Sequence, residues 1–313
     1  MNHYPSNIKE KLNSIILSMA EHHWLFSKNP GHDFTRQHLG KLSFYDTMRL
    51  IISMGKGSTN DEIMDYFDLD PVLIPSQSAF CQRRRQISLS AFEYLFSEFS
   101  SSFPSTTDKF KVHCILACDG CHVVYATNSD IIEDYNKPRR IDYKGYNHMH
   151  LNGFVDVISK AFLDVVIQPG QQPDEREALH SMLDHFTPDD PQKYIITADR
   201  GYESYDLLFH CELKNLGYVF RVKSPSSPKS ILSYYASEFP DDLEEFDVTI
   251  KRFFTDKATN IMKSQSDVYR YINPSKNTPH FYELLRKNHS HLYFLQFRVV
   301  KIKTAGISKT GNL

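Results

Sequence analysis

Apolar residues recur every three or four positions through the first hundred residues, the period of an amphipathic helix. Ile8, Leu12, Ile15, Ile16 and Met19 form one such stripe, and Leu42, Phe44, Met48, Leu50, Ile51 and Ile52 a second. Ser58-Thr59-Asn60-Asp61-Glu62 supplies capping residues just before Ile63, Met64 and Phe67, which predicts a helix start. After Pro71 and Pro75, Ser76 to Ile87 reads as a further helix carrying Arg83, Arg84 and Arg85. A short helix, a turn and a second helix with arginines suit a helix-turn-helix-like DNA module. A helical bundle whose arginines face water fits the same spacing equally well. Ser100 to Thr107, with Pro104 inside it, is the best linker.

Beyond that linker the period changes. Val112 to Cys118 is a nearly continuous apolar run ending at Asp119-Gly120, as expected of a buried strand stopped by a turn. Leu151 to Ile158 and Ala161 to Ile167 read as a hairpin around Ser159-Lys160. Pro173 to Phe186 reads as a helix, Tyr194 to Ala198 as a strand, Glu203 to Leu216 as a helix and Tyr218 to Val222 as a strand. That order predicts an α/β fold with a mixed sheet. After Pro225 the chain turns Ser- and Pro-rich, with strands expected at Phe246 to Phe254, Val268 to Ile272 and Leu292 to Ile302. The expected domains are a helical, DNA-binding 1–105, an α/β core at 106–223 and a β-rich segment at 224–313.

Composition narrows the class more than it names a function. The formal net charge of −2 does not advertise nucleic-acid binding, so DNA contacts would have to come from local patches. Arg83 to Arg85, the run Lys137 to Arg140, and the tail from Arg286, with six Lys or Arg and no Asp or Glu, are such patches. Each is also readable as an ordinary solvated face. The five cysteines, in a chain without a charged-then-apolar leader, are expected to be reduced. The sequence has no apolar run of about 18 residues, so the expectation is a cytoplasmic protein with no membrane span.

Asp119 and Asp199 each follow an expected strand, and Gly120 and Gly201 beside them permit close turns. Two carboxylates brought together at strand ends repel unless cations neutralise them. Mg²⁺ or Mn²⁺ is the natural partner, since hard divalent ions activate an attacking oxygen and stabilise a leaving one in phosphoryl transfer. The plainer reading is that each Asp caps the turn that follows it. Cys114, Cys118, Cys121 and His122 offer soft ligands but sit within one expected strand, which favours buried thiols over zinc. His148 and His150 share a strand face and read as ordinary polar residues.

The strings Leu116-Ala117-Cys118-Asp119-Gly120 and Ile195-Ile196-Thr197-Ala198-Asp199-Arg200-Gly201-Tyr202-Glu203-Ser204 resemble the first and second acidic motifs of bacterial transposases of the insertion-sequence-4 family. The helical front end, with Ser78-Ala79-Phe80 leading into the arginines, is similar to theirs. So is the β-rich stretch after Lys223, including Phe297-Arg298-Val299-Val300. The likeness spans about residues 35 to 305. It implies an RNase H-like core with an N-terminal helical domain and a β-rich insertion, Mg²⁺-dependent cleavage of transposon ends, and strand transfer into target DNA. Asp119 and Asp199 would be the first two metal ligands, and Arg200 a candidate phosphate contact. Terminal inverted repeats and target DNA would be the partners, with a homodimer at synapsis.

The third acid of that family lies in a Tyr-x2-Arg-x3-Glu-x6-Lys pattern, and no stretch of this sequence fits it. Glu283 is the last acidic residue and precedes the final expected strand, whereas the family's Glu follows the inserted β region. The resemblance therefore implies a chain that stops before the catalytic Glu, with weak or absent catalysis and exposed apolar surface. A non-catalytic DNA-binding relic and a stand-alone RNase H-like nuclease are the alternative readings. A purely structural module leaves the two strand-end aspartates unexplained.

Overall fold

The computed structural model describes residues 4–35, 42–70, 72–102, 112–138, 144–240, 243–273 and 278–303. Two compact units divide the chain, Met1–Pro104 and Ser105–Leu313.

The first unit is helical: α1 (Tyr4–Glu21), α2 (Phe44–Ser53), α3 (Thr59–Tyr66), α4 (Gln77–Gln86) and α5 (Leu89–Ser101). Serines start four of these helices, and three of them cap through the side chain. Ser43 closes a reciprocal capping box with Asp46, and the Ser58 and Ser76 side chains accept from the backbone N–H of Asp61 and Ala79. The stripe Ile15, Ile16 and Met19 packs on Phe44, Met48, Ala91 and Leu95. Leu50, Ile63 and Phe80 close a second cluster between α2, α3 and α4. Residues 67–76 join α3 to α4, with left-handed backbone at Asp68 and Leu69. That connection is longer than the three or four residues of a helix-turn-helix corner, so the compact form of the motif is not what these helices make.

In the second unit, β1 (Cys114–Tyr125), β2 (Tyr135–Asn136), β3 (Tyr146–Asp156), β4 (Phe162–Pro169), β5 (Tyr194–Ala198) and β6 (Gly217–Phe220) form one mixed sheet. Its order is β2-β3-β1-β5-β6, with β4 also on β3. β1 is antiparallel to β3 and parallel to β5, and β5 is parallel to β6. Between them, α6 (Glu175–His185) and α7 (Tyr205–Leu213) cover one face. Leu116, Cys118, Phe154, Ile196 and Ala198 point at Leu179, Met182 and Leu183 of α6, while Leu207 and Cys211 bring in α7. This is the mixed α/β architecture expected of an RNase H-like core.

β1 differs from the expectation in one respect that matters. It does not stop at Asp119-Gly120 but runs on to Tyr125, because β3 pairs with it continuously from Leu116 to Tyr125. The parallel partner β5, by contrast, ends at the Cys118↔Ala198 pair. Asp119 is thus the first β1 residue past the end of its neighbour.

The β-rich segment forms a separate three-stranded sheet, β8-β7-β9, from β7 (Phe246–Thr255), β8 (Tyr269–Tyr271) and β9 (Leu292–Lys301). Two short helices, α8 (Asn260–Ser264) and α9 (Pro279–Lys287), accompany it. Phe281, Leu284 and Leu285 of α9 pack on Leu208 and Phe209 of α7, together with Phe254 and Leu295. Every residue of α7 from Asp206 to Cys211 is buried, since it is covered on one side by the large sheet and α6 and on the other by α9.

Candidate functional site

The register of β1 and β5 places the two sequence-selected aspartates side by side. Leu116↔Ile196 and Cys118↔Ala198 are paired, so Asp119 and Asp199 are the next residues in phase on adjacent strands. Adjacent strands lie about 4.8 Å apart, so neither carboxylate is isolated. Both residues are exposed. Their geometry is fixed locally: Asp119 Oδ1 accepts from the Gly120 backbone N–H at 2.9 Å, and Asp199 Oδ1 from that of Gly201 at 2.7 Å. One oxygen of each is held, which orients the other.

A third carboxylate arrives from α6, one that the sequence reading passed over. Asp174 caps that helix, accepting from the backbone N–H groups of Arg176 and Glu177, and Gln168 holds the Asp174 backbone through its side-chain oxygen and nitrogen. Glu175 is therefore delivered at a fixed point on the first turn. Its Oε1 lies 3.0 Å from where a Cβ on Gly120 would sit, and its Oε2 is 3.0 Å from the corresponding point on Gly201. Asp199 Oδ1 is 2.9 Å from that second point. Glycine at both positions leaves the space these carboxylates use.

The surroundings contain polar groups without partners. His150 is 3% exposed, and neither of its ring nitrogens completes a hydrogen bond, although Nε2 stands 3.4 Å from Glu175 Oε1. Asn152 Oδ1, next on the same face of β3, is buried and likewise unpaired. Burying such groups without partners is costly, and a bound ion with its water shell would satisfy them. Cys118 and Tyr202 form the floor. Burial, with the nearby Asp119 and Glu175 charges, pushes the Cys118 thiol up to about 12 and raises the Tyr202 hydroxyl as well. Neither supplies a nucleophile near neutral pH.

An all-oxygen set of this kind suits a hard divalent cation. Mg²⁺ commonly keeps several waters and is held by one or two carboxylates plus substrate phosphates rather than by a closed protein cage. The site is open in that sense: among the described residues, these carboxylates do not close into a ligand cluster by themselves. Glu203, four residues after Asp199, is by contrast fully engaged. Its buried carboxylate receives the Lys223 backbone N–H and ammonium, the Ser230 hydroxyl and the Ile231 N–H, so it braces the loop after β6.

Residues 111–291, more than half of the chain, match the family model described as Transposase DDE domain. The chain belongs to this family. No curated protein matches it significantly. Transposase domains of this kind act on DNA and generally use divalent metal ions, and the paired aspartates lie inside the matched span.

The remaining sequence candidates fall as follows. Arg200 is exposed beside Asp199, and its carbonyl accepts from the Lys223 ammonium. Arg84 and Arg85 are exposed on α4, whereas Arg83 is half-buried, bonded to Gln86 and stacked over Phe34. Within the basic tail, Arg298 pairs with Asp247, and Lys303 with Glu244, so part of that charge is neutralised by β7 and the residues before it. Arg139 and Arg140, most of the 100–107 linker and the segment 306–313 lie outside the described residues. Glu283 projects from the exposed face of α9. Cys114 and Cys118 face the core while Cys121 is exposed on the other face of β1, which rules out a shared zinc site for the three. No helix among the described residues is long and apolar enough to cross a membrane.

Proposed function

We propose that this chain is an insertion-sequence transposase of the insertion-sequence-4 type, cutting transposon ends and joining them to target DNA with Mg²⁺ or Mn²⁺. Asp119 and Asp199 act as the first two metal ligands, and Glu175 stands in for the third acid that the C-terminal pattern lacks. The observation that carries this is the in-phase pair of Asp119 on β1 and Asp199 just past the end of β5, with Glu175 reaching the same strand ends. When bound, the divalent ion would activate an attacking oxygen and stabilise the leaving one.

The chain's own contribution is positional. Gly120 and Gly201 N–H groups orient the aspartates, the Asp174 cap orients Glu175, and Glu203 keeps the Lys223 loop against the site. Arg200 and the exposed arginines of α4 supply phosphate contacts that set register on the duplex without reading sequence. Joining two ends calls for two copies at synapsis.

The test is cleavage of linear DNA carrying the element's terminal inverted repeats by purified protein in Mg²⁺ or Mn²⁺. The wild type is expected to nick at the ends, and Asp119→Asn, Asp199→Asn and Glu175→Gln each to abolish nicking while still binding the ends. Binding without any cleavage by the wild type would mark a DNA-binding relic. End-independent cutting would mark a nuclease. Cleavage that survives Glu175→Gln but not Asp119→Asn would move the third role to another acid, Glu283 first.

A further inference from the structure

A second cluster of ligating side chains lies between α6, α7 and α9, and the proposed DNA chemistry makes no use of it. His180, His210 and His280 each present a ring nitrogen within 4.8 Å of the other two, the one such set of three or more His, Cys, Asp or Glu among the described residues. The rings stack almost parallel: His210 and His280 are 3.9 Å apart and His180 and His280 4.5 Å, both at 10°. All three side chains are largely buried, and two carboxylates attend them. Asp206 Oδ2 is 2.7 Å from His280 Nδ1 and 3.5 Å from His180 Nε2, and Asp184 Oδ1 is 3.2 Å from His210 Nε2.

Proton accounting shows that neutral rings cannot satisfy this network. His180 Nδ1 faces His210 Nδ1 at 2.8 Å, so one of them must donate. A neutral imidazole has a single N–H. If His210 donates, its Nε2 lone pair is turned on the Asp184 carboxylate. If His180 donates, its Nε2 lone pair is turned on Asp206. If neither does, two lone pairs oppose each other. The cluster is one positive charge short.

The geometry points to a site for zinc, or a similar borderline transition-metal ion, bound by His180 Nδ1, His210 Nδ1 and one nitrogen of His280. A metal ion on the two facing Nδ1 atoms uses both lone pairs. It also frees Nε2–H of His180 to donate to Asp206 and Nε2–H of His210 to donate to Asp184. His280, already on Asp206 through Nδ1, turns Nε2 to the ion. Each ligand then donates its other ring N–H to a carboxylate, the arrangement that fixes tautomer and raises ligand basicity at metal-bound histidines. Zn–N bonds of about 2.0–2.1 Å at tetrahedral angles separate nitrogens by about 3.3 Å. The Nδ1 pair therefore opens by a few tenths of an ångström and the rings fan out of their stack.

An extra proton is the competing solution. Burial of the rings, with His210 only 2% exposed, works against placing a charge there. Imidazole ligands select zinc-class ions over Mg²⁺, so this site and the carboxylates would not compete for one metal. Its role is to fasten α9, and the small sheet packed with it, to the helices over the large sheet.

The full-length chain, stripped with EDTA and shown folded by circular dichroism, is titrated with Zn²⁺ and separately with Co²⁺, in an Asp119→Asn, Asp199→Asn, Glu175→Gln background that removes the carboxylate site. One equivalent of Zn²⁺ with a raised melting temperature, and the intense visible bands of tetrahedral Co²⁺, are expected. His280→Gln should lose both. Asp184→Asn, a change at a largely exposed carboxylate that tests the site without risk to the core, should weaken Zn²⁺ by about tenfold or more. Absence of binding by the folded protein, or unchanged affinity in both His280→Gln and Asp184→Asn, overturns the site.

Discussion

Glu175 and Asp199, on different elements, approach the same empty point. Glu175 Oε2 lies 3.0 Å and Asp199 Oδ1 2.9 Å from where a side chain on Gly201 would begin. A methyl group there cannot be absorbed without moving at least one carboxylate. Gly201→Ala is therefore expected to displace at least one of the two acids, Asp199 first, by a fraction of an ångström to an ångström. Misplacement on that scale lowers a metal-dependent phosphoryl transfer by about 100-fold. Gly201 is exposed and outside helix and strand, so stability should shift by less than about 1 kcal/mol. Parallel melts and end-cleavage rates check this, and a variant that melts normally and cuts at the wild-type rate would show the space is not used.

Glu203 illustrates the opposite role for an acid nearby. Its side chain is fully buried, and four donors from Lys223, Ser230 and Ile231 converge on it. Removing it leaves the backbone N–H groups of Lys223 and Ile231 unanswered, while the partly exposed Lys223 ammonium keeps the Arg200 carbonyl. Glu203→Ala should cost about 2–4 kcal/mol in urea unfolding, from the two unsatisfied backbone N–H groups. A loss below about 1 kcal/mol would contradict the bracing role.

Most of this architecture was legible because it is written in period and punctuation. Tyr194–Ala198 was bounded to the residue, the helix after Ser58 followed from its capping residues, and the helix after Ser76 from the prolines before it. Asp119 and Asp199 were found as acids after apolar runs. What escaped depends on partners distant in sequence. The extension of β1 through Gly120 is dictated by β3, some thirty residues on, and a glycine beside an aspartate looks like a turn until that ladder exists. In the sequence Glu175 is simply an acid on the first turn of a helix, where acids are common. Only the packing of α6 over β1 and β5 brings it to the aspartates. Likewise, His180, His210 and His280 have no shared motif, and α7 and α9 meet through tertiary packing alone.

Asp134 offers a pH-dependent check away from both sites. The Tyr125 hydroxyl and the Gly170 backbone N–H both donate to its carboxylate, tying the loop after β1 to the end of β4. The Tyr125 bond is the larger cause holding Asp134 below the usual carboxylate range, followed by Gly170. Because the folded carboxyl is more acidic than the unfolded one, the tie contributes above about pH 3.9 and is lost as pH falls through the lower folded value. In a ¹³C NMR titration, Tyr125→Phe should move the Asp134 midpoint upward toward that of a free aspartate. An unchanged midpoint would mean the hydroxyl does not hold the carboxylate in solution.

The arginines of α4 separate by what else they do. Arg83 is bonded to Gln86 and lies 5.1 Å over the Phe34 ring, so part of its role is to pack the first unit. Arg85 is exposed on the same last turn and has no such tie among the described residues. If α4 lies along a DNA backbone, Arg85→Ala removes one phosphate contact. Affinity should then fall about equally for end and unrelated sequences, and the slope of log K against log salt should drop by about 1. Arg83→Ala should in addition lower the melting temperature, because the cation stacked on Phe34 is lost. Salt-dependent binding isotherms on both variants distinguish the two cases. An Arg85→Ala protein with an unchanged slope would place the DNA on another face.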